Sequence, residues 1–309
     1  MHVVKRDGTR QPVCFDKILQ RLSALSHELP RANIVLVAQK TIHGLYDGVP
    51  TSELDTLAAQ TAAYLSTTHP EYSSLAARIE LSNLAKQTPP TFVECARRAG
   101  LSVDTLAFVE RHREALEAAL RHARDERYDY FAVKTMMRSY LRRDACAGDG
   151  GARAVDDNDD DDDDAQGDDD NDTGLPPVVE RPQYMHMRIA AGIHHQADDL
   201  AACLATYDAL SLGRLSHATP TMFNAGTPRP QMASCFLMTV PGDSIRGIFD
   251  AVTWSANVSK YAGGIGLDVS AVRAKGSRIR SSDGVSNGLV PMLQVFDRVA
   301  RYVDQGGGK

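Results

Sequence analysis

The sequence predicts an α+β amino-terminal unit, a helical middle and the opening of an α/β domain. Three observations carry this. A hairpin signal and four helical stretches fill about the first 90 residues. Helical periodicity then continues to about residue 215, around one acidic interruption. After that, short apolar runs alternate with Gly, Asn and Pro turns and one helix. A chain of 309 residues, 43% hydrophobic and 24% charged, is globular in composition, long enough for two or three domains and for a sizeable core. No window reaches the roughly 18 uninterrupted apolar residues of a membrane-spanning helix. The first eight residues carry charge where a secretory signal would be apolar, which argues against secretion.

Residues 3–13 read as a β-hairpin with Asp7-Gly8 as a two-residue turn, both positions tolerating positive φ. Pro12 lacks a donor and places its strand at an edge. A first helix opens at Phe15-Asp16-Lys17, with Ile18, Leu22 and Leu25 on one face. A second spans about 32–45 and stops near Asp47-Gly48. A third begins at 51–55, where Ser52 and Asp55 have capping-box spacing, and buries Leu54, Leu57, Ala58, Thr61 and Leu65. His69-Pro70 breaks the chain before a fourth helix over about 72–84. Residues 91–143 read as mostly helical, with Leu101, Leu106, Leu116 and Leu120 inward. Two more helices follow at about 183–193 and 198–212, with His194-His195 on a solvated end. Three apolar runs, 234–240, 265–269 and 289–295, read as strands, with a helix at 247–261. The chain ends in Gln305-Gly306-Gly307-Gly308-Lys309 without a closing element, and reads as severed.

The net charge of -6 is uneven. Residues 156–172 hold twelve Asp and no Lys or Arg, so the rest of the chain stands near +6. The run from 148 to 174 has almost no large apolar residue and reads as disordered, either a solvated insertion or a tether for a basic partner. Five widely spaced cysteines with no C-x-x-C argue against a zinc ribbon or a disulfide scaffold and suit a reducing, cytoplasmic setting. The ten histidines show no metal-ligand spacing.

Three clusters could carry chemistry. Lys5 and Arg6 beside the turn, Lys17 one turn into the first helix and that helix's free N–H groups form either a triphosphate cradle or a solvated basic strand. Asp55 is a first-turn carboxylate suited to capping or to a sugar hydroxyl. The run 262–266 (A-G-G-I-G) lacks the full dinucleotide fingerprint, and close packing at a helix-to-strand corner explains it as well. Cys235, entering an apolar strand without a neighbouring His or Lys, reads unaided as a small buried hydrophobe. Asp243-Ser244-Ile245 serve either as a helix cap or as a phosphate-facing helix start.

Taken together, several motifs resemble the large, catalytic subunit of class I ribonucleotide reductase, nearest the eukaryotic type. They are residues 1–17 (M-H-V-V-K-R-D-G…V-C-F-D-K), 44–59, 180–185 (E-R-P-Q-Y-M), 216–226 (S-H-A-T-P-T-M-F-N-A-G), 230–236 (P-Q-M-A-S-C-F), 263–266, 286–292 (S-N-G-L-V-P-M) and 301–307. The resemblance implies an ATP-cone at 1–92 (a β-hairpin plus a four-helix bundle), a helical segment at 93–147 and the acidic insert at 148–174. A second helical segment at 175–215 and the first part of a ten-stranded α/β barrel at 216–309 complete it. It implies reduction of ribonucleoside diphosphates to deoxyribonucleoside diphosphates by thiyl-radical chemistry, under ATP and dATP control.

By the same resemblance, Cys235 is one of the reducing cysteine pair, and Thr219 and Ser234 bind substrate. Asp243, Ser244, Ile245, Lys260 and Arg273 form the specificity-effector site. Lys5, Arg6, Gln11, Pro12, Val13, Cys14, Phe15, Asp16, Lys17, Thr51, Asp55 and Lys86 form the activity site for ATP or dATP. The implied cofactors are nucleoside triphosphate effectors with Mg2+, and no metal is held by the chain. The implied partners are a di-iron small subunit, thioredoxin or glutaredoxin, and further copies of the chain, with neither membrane nor nucleic acid. The radical-bearing cysteine and the second reducing cysteine are expected beyond Lys309, so residues 1–309 alone are expected to show no turnover. Two rival readings are a non-catalytic nucleotide-sensing protein that reuses the cone and an acidic scaffold that recruits basic partners.

Overall fold

The computed structural model describes residues 1–147, 175–260, 263–280 and 282–303. The acidic run 148–174 and the final Gly-rich residues therefore lie outside the described residues. The chain divides into two compact units, Met1–Arg214 and Leu215–Lys309.

The first unit opens with β1 (His2–Val4) and β2 (Arg10–Pro12), antiparallel, with Val3 opposite Gln11. The connection is a three-residue loop, Arg6-Asp7-Gly8, closed by Gly8 N–H donating to the Lys5 carbonyl at 2.9 Å and Lys5 N–H to the Thr9 carbonyl at 2.8 Å. Only Gly8 takes positive φ (82°), so the expected two-residue turn is corrected to a turn with a glycine bulge. Asp7 does not enter the left-handed region because its carboxylate accepts from Thr9 N–H (3.0 Å) and the Thr9 hydroxyl (2.7 Å). The hairpin gains a short third strand, β3 (Val49–Pro50), parallel to β1. With order β2-β1-β3, Pro12 does lie on an edge strand.

Four helices pack beside this sheet: α1 (Phe15–Leu25), α2 (Ile34–His43), α3 (Thr51–Tyr64) and α4 (Glu71–Gln87). Their core joins Leu22, Val37 and Ala38 to Ala58, Ala59 and Ala62 of α3 and Leu75, Ala76 and Ile79 of α4. The alanines bring α3 and α4 close, and large side chains fill the remaining space. The expected capping box does not form. Pro50 is the N-cap of α3 with no side-chain cap bond, and Asp55 is buried instead. The buried face of α3 is rotated accordingly, to Asp55, Ala58, Ala59 and Ala62 rather than Leu54, Leu57 and Thr61.

The middle of the chain continues with α5 (Phe92–Arg98), α6 (Val103–Arg111), α7 (Arg113–Ala119) and α8 (Tyr130–Thr135), and resumes with α9 (Pro182–His194) and α10 (Leu200–Ser211). Every residue of α9 from Pro182 to Gly192 is buried. Its polar members survive burial because each is bonded. Gln183 donates to Asp125 at 2.7 Å and accepts from the Tyr207 hydroxyl at 2.6 Å. Arg188 pairs with Glu180 at 2.7 Å, both side chains 1% exposed. His194 and His195 are half-buried, not solvated: they bond the Thr206 hydroxyl and the Gly192 carbonyl. The segments flanking the acidic run pair with each other, Arg143 opposite Val178.

The second unit contains α11 (Thr219–Asn224), β4 (Cys235–Thr239), α12 (Ile245–Lys260), β5 (Gly264–Asp268), the small β6 (Arg278–Ile279) and β7 (Gly284–Val285), and α13 (Leu289–Val303). β4 and β5 are parallel, Cys235 opposite Gly264, with α12 as the crossover. The run 289–295 is helical rather than a strand, because Leu289, Met292, Leu293, Phe296 and Ala300 recur at helical spacing once the window extends beyond seven residues. Gly263 does mark close packing at the helix-to-strand corner, whereas Gly266 lies within β5 opposite Leu237 of β4. A Cβ on Gly263 would stand 2.6 Å from Val258 Cγ1, and one on Gly266 would stand 2.8 Å from Leu237 Cδ2.

Candidate functional site

A cavity of about 530 Å3 opens where the hairpin loop, α1, the start of α3 and the end of α4 converge. The parallel pairing of β3 with β1 builds it: Val4 lies opposite Pro50, so Thr51, the first residue of α3, starts beside Lys5. With Pro50 as N-cap, the first-turn N–H groups of α3 have no side-chain acceptor, which makes that helix end a ready anion donor. Lys17, Ile18 and Arg21 present one face of α1, and Lys86 reaches in from the last turn of α4.

At the back sits the Asp55 carboxylate, 8% exposed. Arg21 grips both of its oxygens, Nε to Oδ1 at 2.6 Å and Nη2 to Oδ2 at 2.9 Å. Lys86 Nζ stands 3.3 Å and Arg6 Nη2 3.5 Å from Oδ2. Arg6 is aimed by buried Asn83, whose Oδ1 accepts from Nη2 at 2.5 Å. Nearer the mouth, Lys17 Nζ donates to Gln11 Oε1 at 3.5 Å. Burial pushes the Lys86 ammonium below the ordinary lysine range. Asp55 opposes that shift, and Arg21 and Arg6 add to it. Five cations thus face two carboxylates, buried Asp55 and exposed Asp7, a surplus suited to a polyanion.

Of the twelve residues assigned to the activity site, Lys5, Arg6, Gln11, Lys17, Thr51, Asp55 and Lys86 line this cavity. Pro12, Val13, Cys14, Phe15 and Asp16 do not. Val13 packs near Val3, Leu45 and Val49, and Cys14 is the N-cap of α1. Both helices reach the cavity from their first turns, α3 through Thr51 and Leu54 and α1 through Lys17 and Ile18. Asp7, Thr9, Ile18, Arg21 and Leu54 also line it, outside that assignment. Arg21 lies four residues after Lys17, so helical spacing from that lysine marks it.

In the second unit, Arg273 Nε donates to Asp243 Oδ2 at 2.5 Å and its Nη2 to the Asp243 carbonyl at 3.2 Å. Ser244 Oγ accepts from Gly247 N–H at 3.1 Å and caps α12, which Ile245 begins, largely exposed. Lys260 stands at the far end of this 16-residue helix, roughly 22 Å from Ile245 at 1.5 Å rise per residue. The structure brings Asp243, Ser244, Ile245 and Arg273 together and leaves Lys260 apart. Thr219 begins α11, and the Thr221 hydroxyl (3.1 Å to the Met232 carbonyl) and Asn224 Nδ2 (2.7 Å to the Gln231 carbonyl) tie that helix to the segment carrying Ser234. Cys235 is exposed, which corrects its reading as a buried hydrophobe. It shares an outward face of β4 with Leu237, which is 94% exposed.

A second cavity, about 430 Å3, lies within the first unit between the end of α1, α4 and the segment 122–126, and is lined by Arg78, His122, Asp125 and Arg181 among others. Arg181 binds the end of α4, donating to the Thr88 hydroxyl (2.7 Å) and to the Ala85 (3.0 Å) and Pro89 (2.9 Å) carbonyls. Burial lifts the Asp125 carboxyl from 3.8 to about 7, opposed by the Gln183 hydrogen bond and by Arg181. Burial also lowers His186 to about 4, with Arg127 and Arg188 adding to the effect.

Comparison with known proteins divides the chain in the same order. An ATP cone domain matches residues 1–87, the all-alpha domain of ribonucleotide reductase 169–230, and the barrel domain of ribonucleotide reductase 233–309. The chain is 46% identical to the ribonucleoside-diphosphate reductase large subunit of Dictyostelium discoideum, across all of this chain and 34% of that protein. It is 45% identical to the large subunit of Arabidopsis thaliana (36% of that protein) and 43% identical to large chain 2 of Saccharomyces cerevisiae (34%), in both cases over the whole chain. It spans about a third of the length of these curated relatives.

Proposed function

We infer that this chain, which belongs to the ribonucleotide reductase large-subunit family, senses adenine nucleotides for a ribonucleoside-diphosphate reductase. The observation that carries the reading is the convergence of Lys5, Arg6, Lys17, Arg21 and Lys86 on one cavity at the start of α3. Phosphate oxygens bind the lysine ammonium groups, the Arg6 guanidinium and the α3 N–H groups, while Asp55, held by Arg21, suits a hydroxyl of the sugar. Mg2+ arrives with the nucleotide. Among the described residues no group of three His, Cys, Asp or Glu is placed to hold a metal.

The enzyme served reduces ribonucleoside diphosphates to deoxyribonucleoside diphosphates, activated by ATP and inhibited by dATP. Cys235 is one thiol of the reducing pair, Thr219 and Ser234 contact substrate, and Asp243, Ser244, Ile245, Lys260 and Arg273 read the specificity effector. Lys260, remote from the other four within one chain, belongs with a second copy of the chain in that site. A di-iron small subunit and thioredoxin or glutaredoxin complete the system, in the cytoplasm. No helix among the described residues is long and apolar enough to cross a membrane. The division of the chain is that expected from its motifs: cone 1–92, helical segments 93–147 and 175–215 around the insert 148–174, and barrel from 216.

Calorimetric titration of the chain with ATP and dATP tests the reading. Both bind, and reversing Lys5, Arg6 and Lys17 to Glu weakens binding by roughly a hundredfold or more, since charge-assisted phosphate bonds are replaced by repulsion. Unchanged affinity in a folded triple variant refutes it.

A further inference from the structure

We propose that Arg21 positions the activity-site carboxylate and does not bind phosphate, a reading that rests on the nucleotide function proposed above. Three cations contact Asp55, but unequally. Lys86 and Arg6 each make one long contact, at 3.3 and 3.5 Å, to the same oxygen. Arg21 makes two short ones, 2.6 and 2.9 Å, one to each oxygen. A planar guanidinium on both oxygens of a carboxylate is the strongest pair available to these groups and the costliest to separate, here with the carboxylate 8% exposed. An entering triphosphate therefore recruits the loosely held cations. Lys86 turns from Asp55 to phosphate, and Arg6 follows while its anchor on Asn83 Oδ1 keeps it aimed.

Arg21 stays behind. Its pairing cancels the Asp55 charge, which otherwise repels the phosphates and draws Lys86 and Arg6 to the back wall. Arg21 is thus a positioning residue whose effect exists only while Asp55 is an anion. Were it a fifth phosphate ligand, its removal would weaken binding whatever occupied position 55.

A double-mutant cycle on the full chain separates the two roles, with ATP as the probe and calorimetric Kd as the readout for wild type, R21Q, D55N and R21Q/D55N. Any bond to the sugar that D55N removes is missing from both D55N proteins and cancels. R21Q is expected to raise Kd roughly tenfold or more when Asp55 is present, because an unpaired carboxylate then competes for the remaining cations. In the D55N background the same change leaves Kd within about twofold. Equal losses in both backgrounds, or no loss with Asp55 present, overturn the proposal. Should R21Q unfold by circular dichroism, the same cycle is read with R21K, whose single ammonium cannot hold both oxygens. If wild type does not bind ATP, the nucleotide reading itself fails. Binding by wild type with additive losses defeats this inference alone.

Discussion

Replacing Asp125 with Asn isolates the electrostatic cost of one buried carboxyl. Asp125 is 6% exposed, accepts from Gln183 at 2.7 Å, and titrates at about 7 instead of 3.8, chiefly because burial penalises its charge. Between those values the native protein holds a proton that the unfolded chain has released. Stability from this group is therefore full below pH 3.8 and is lost as pH rises through about 7. A shift of about 3 units at 1.36 kcal/mol each amounts to roughly 4 kcal/mol, of which about 2–3 kcal/mol falls between pH 5 and pH 8. His186, lowered to about 4 by burial, contributes with the opposite sign: its stabilisation is present above the ordinary histidine value of 6.5 and is lost as pH falls toward 4. Because His186 titrates in both proteins, subtracting the D125N profile from that of wild type removes it.

Asn keeps the acceptor for Gln183 and carries no charge. Thermal melts followed by far-UV circular dichroism, which the helical first unit dominates, should show D125N gaining on wild type as pH rises from 5 to 8. At about 2–4 °C per kcal/mol for a unit of this size, the gain is roughly 5–10 °C. Parallel profiles for the two proteins would refute the burial argument, since the difference arises only from ionisation at position 125.

Two further outcomes follow from packing. Changing Glu180 to Gln removes one charge of an ion pair whose side chains are both 1% exposed, and should cost about 3–5 kcal/mol in urea denaturation monitored by circular dichroism. A cost below about 1 kcal/mol would show that the pair contributes little. Gly263→Ala places a Cβ 2.6 Å from Val258 Cγ1 and 2.8 Å from Phe236 Cε2, where helix and strand both press on the site. A loss of about 1–3 kcal/mol is expected. The single tryptophan, Trp254 on α12, reports it by fluorescence, and an unchanged midpoint would rule the contact out.

The element sequence was legible because its signals are local. Ile18, Leu22 and Leu25 repeat at helical spacing within one segment, and Asp7-Gly8 marks a reversal by its own backbone preferences. The capping reading failed because a residue on another helix competed for the group. Ser52 and Asp55 match a capping box, yet Asp55 turns inward to Arg21, because two charge-assisted bonds outweigh one cap. The run 289–295 resembles a strand only when cut short; its helical period needs all fifteen residues of α13.

By itself, then, the sequence determined most of the helices, the basic hairpin, the acidic run and the motifs that carry the family resemblance. Only the tertiary structure decided which residues meet. Arg21 is 34 positions from Asp55, and Arg6 is 77 from Asn83. The start of α3 reaches the cavity because two residues of β3 pair in parallel with β1. Periodicity records which side of a helix is apolar. It carries no record of which distant carboxylate a cation will find once the chain has folded, because that depends on how several helices pack at once.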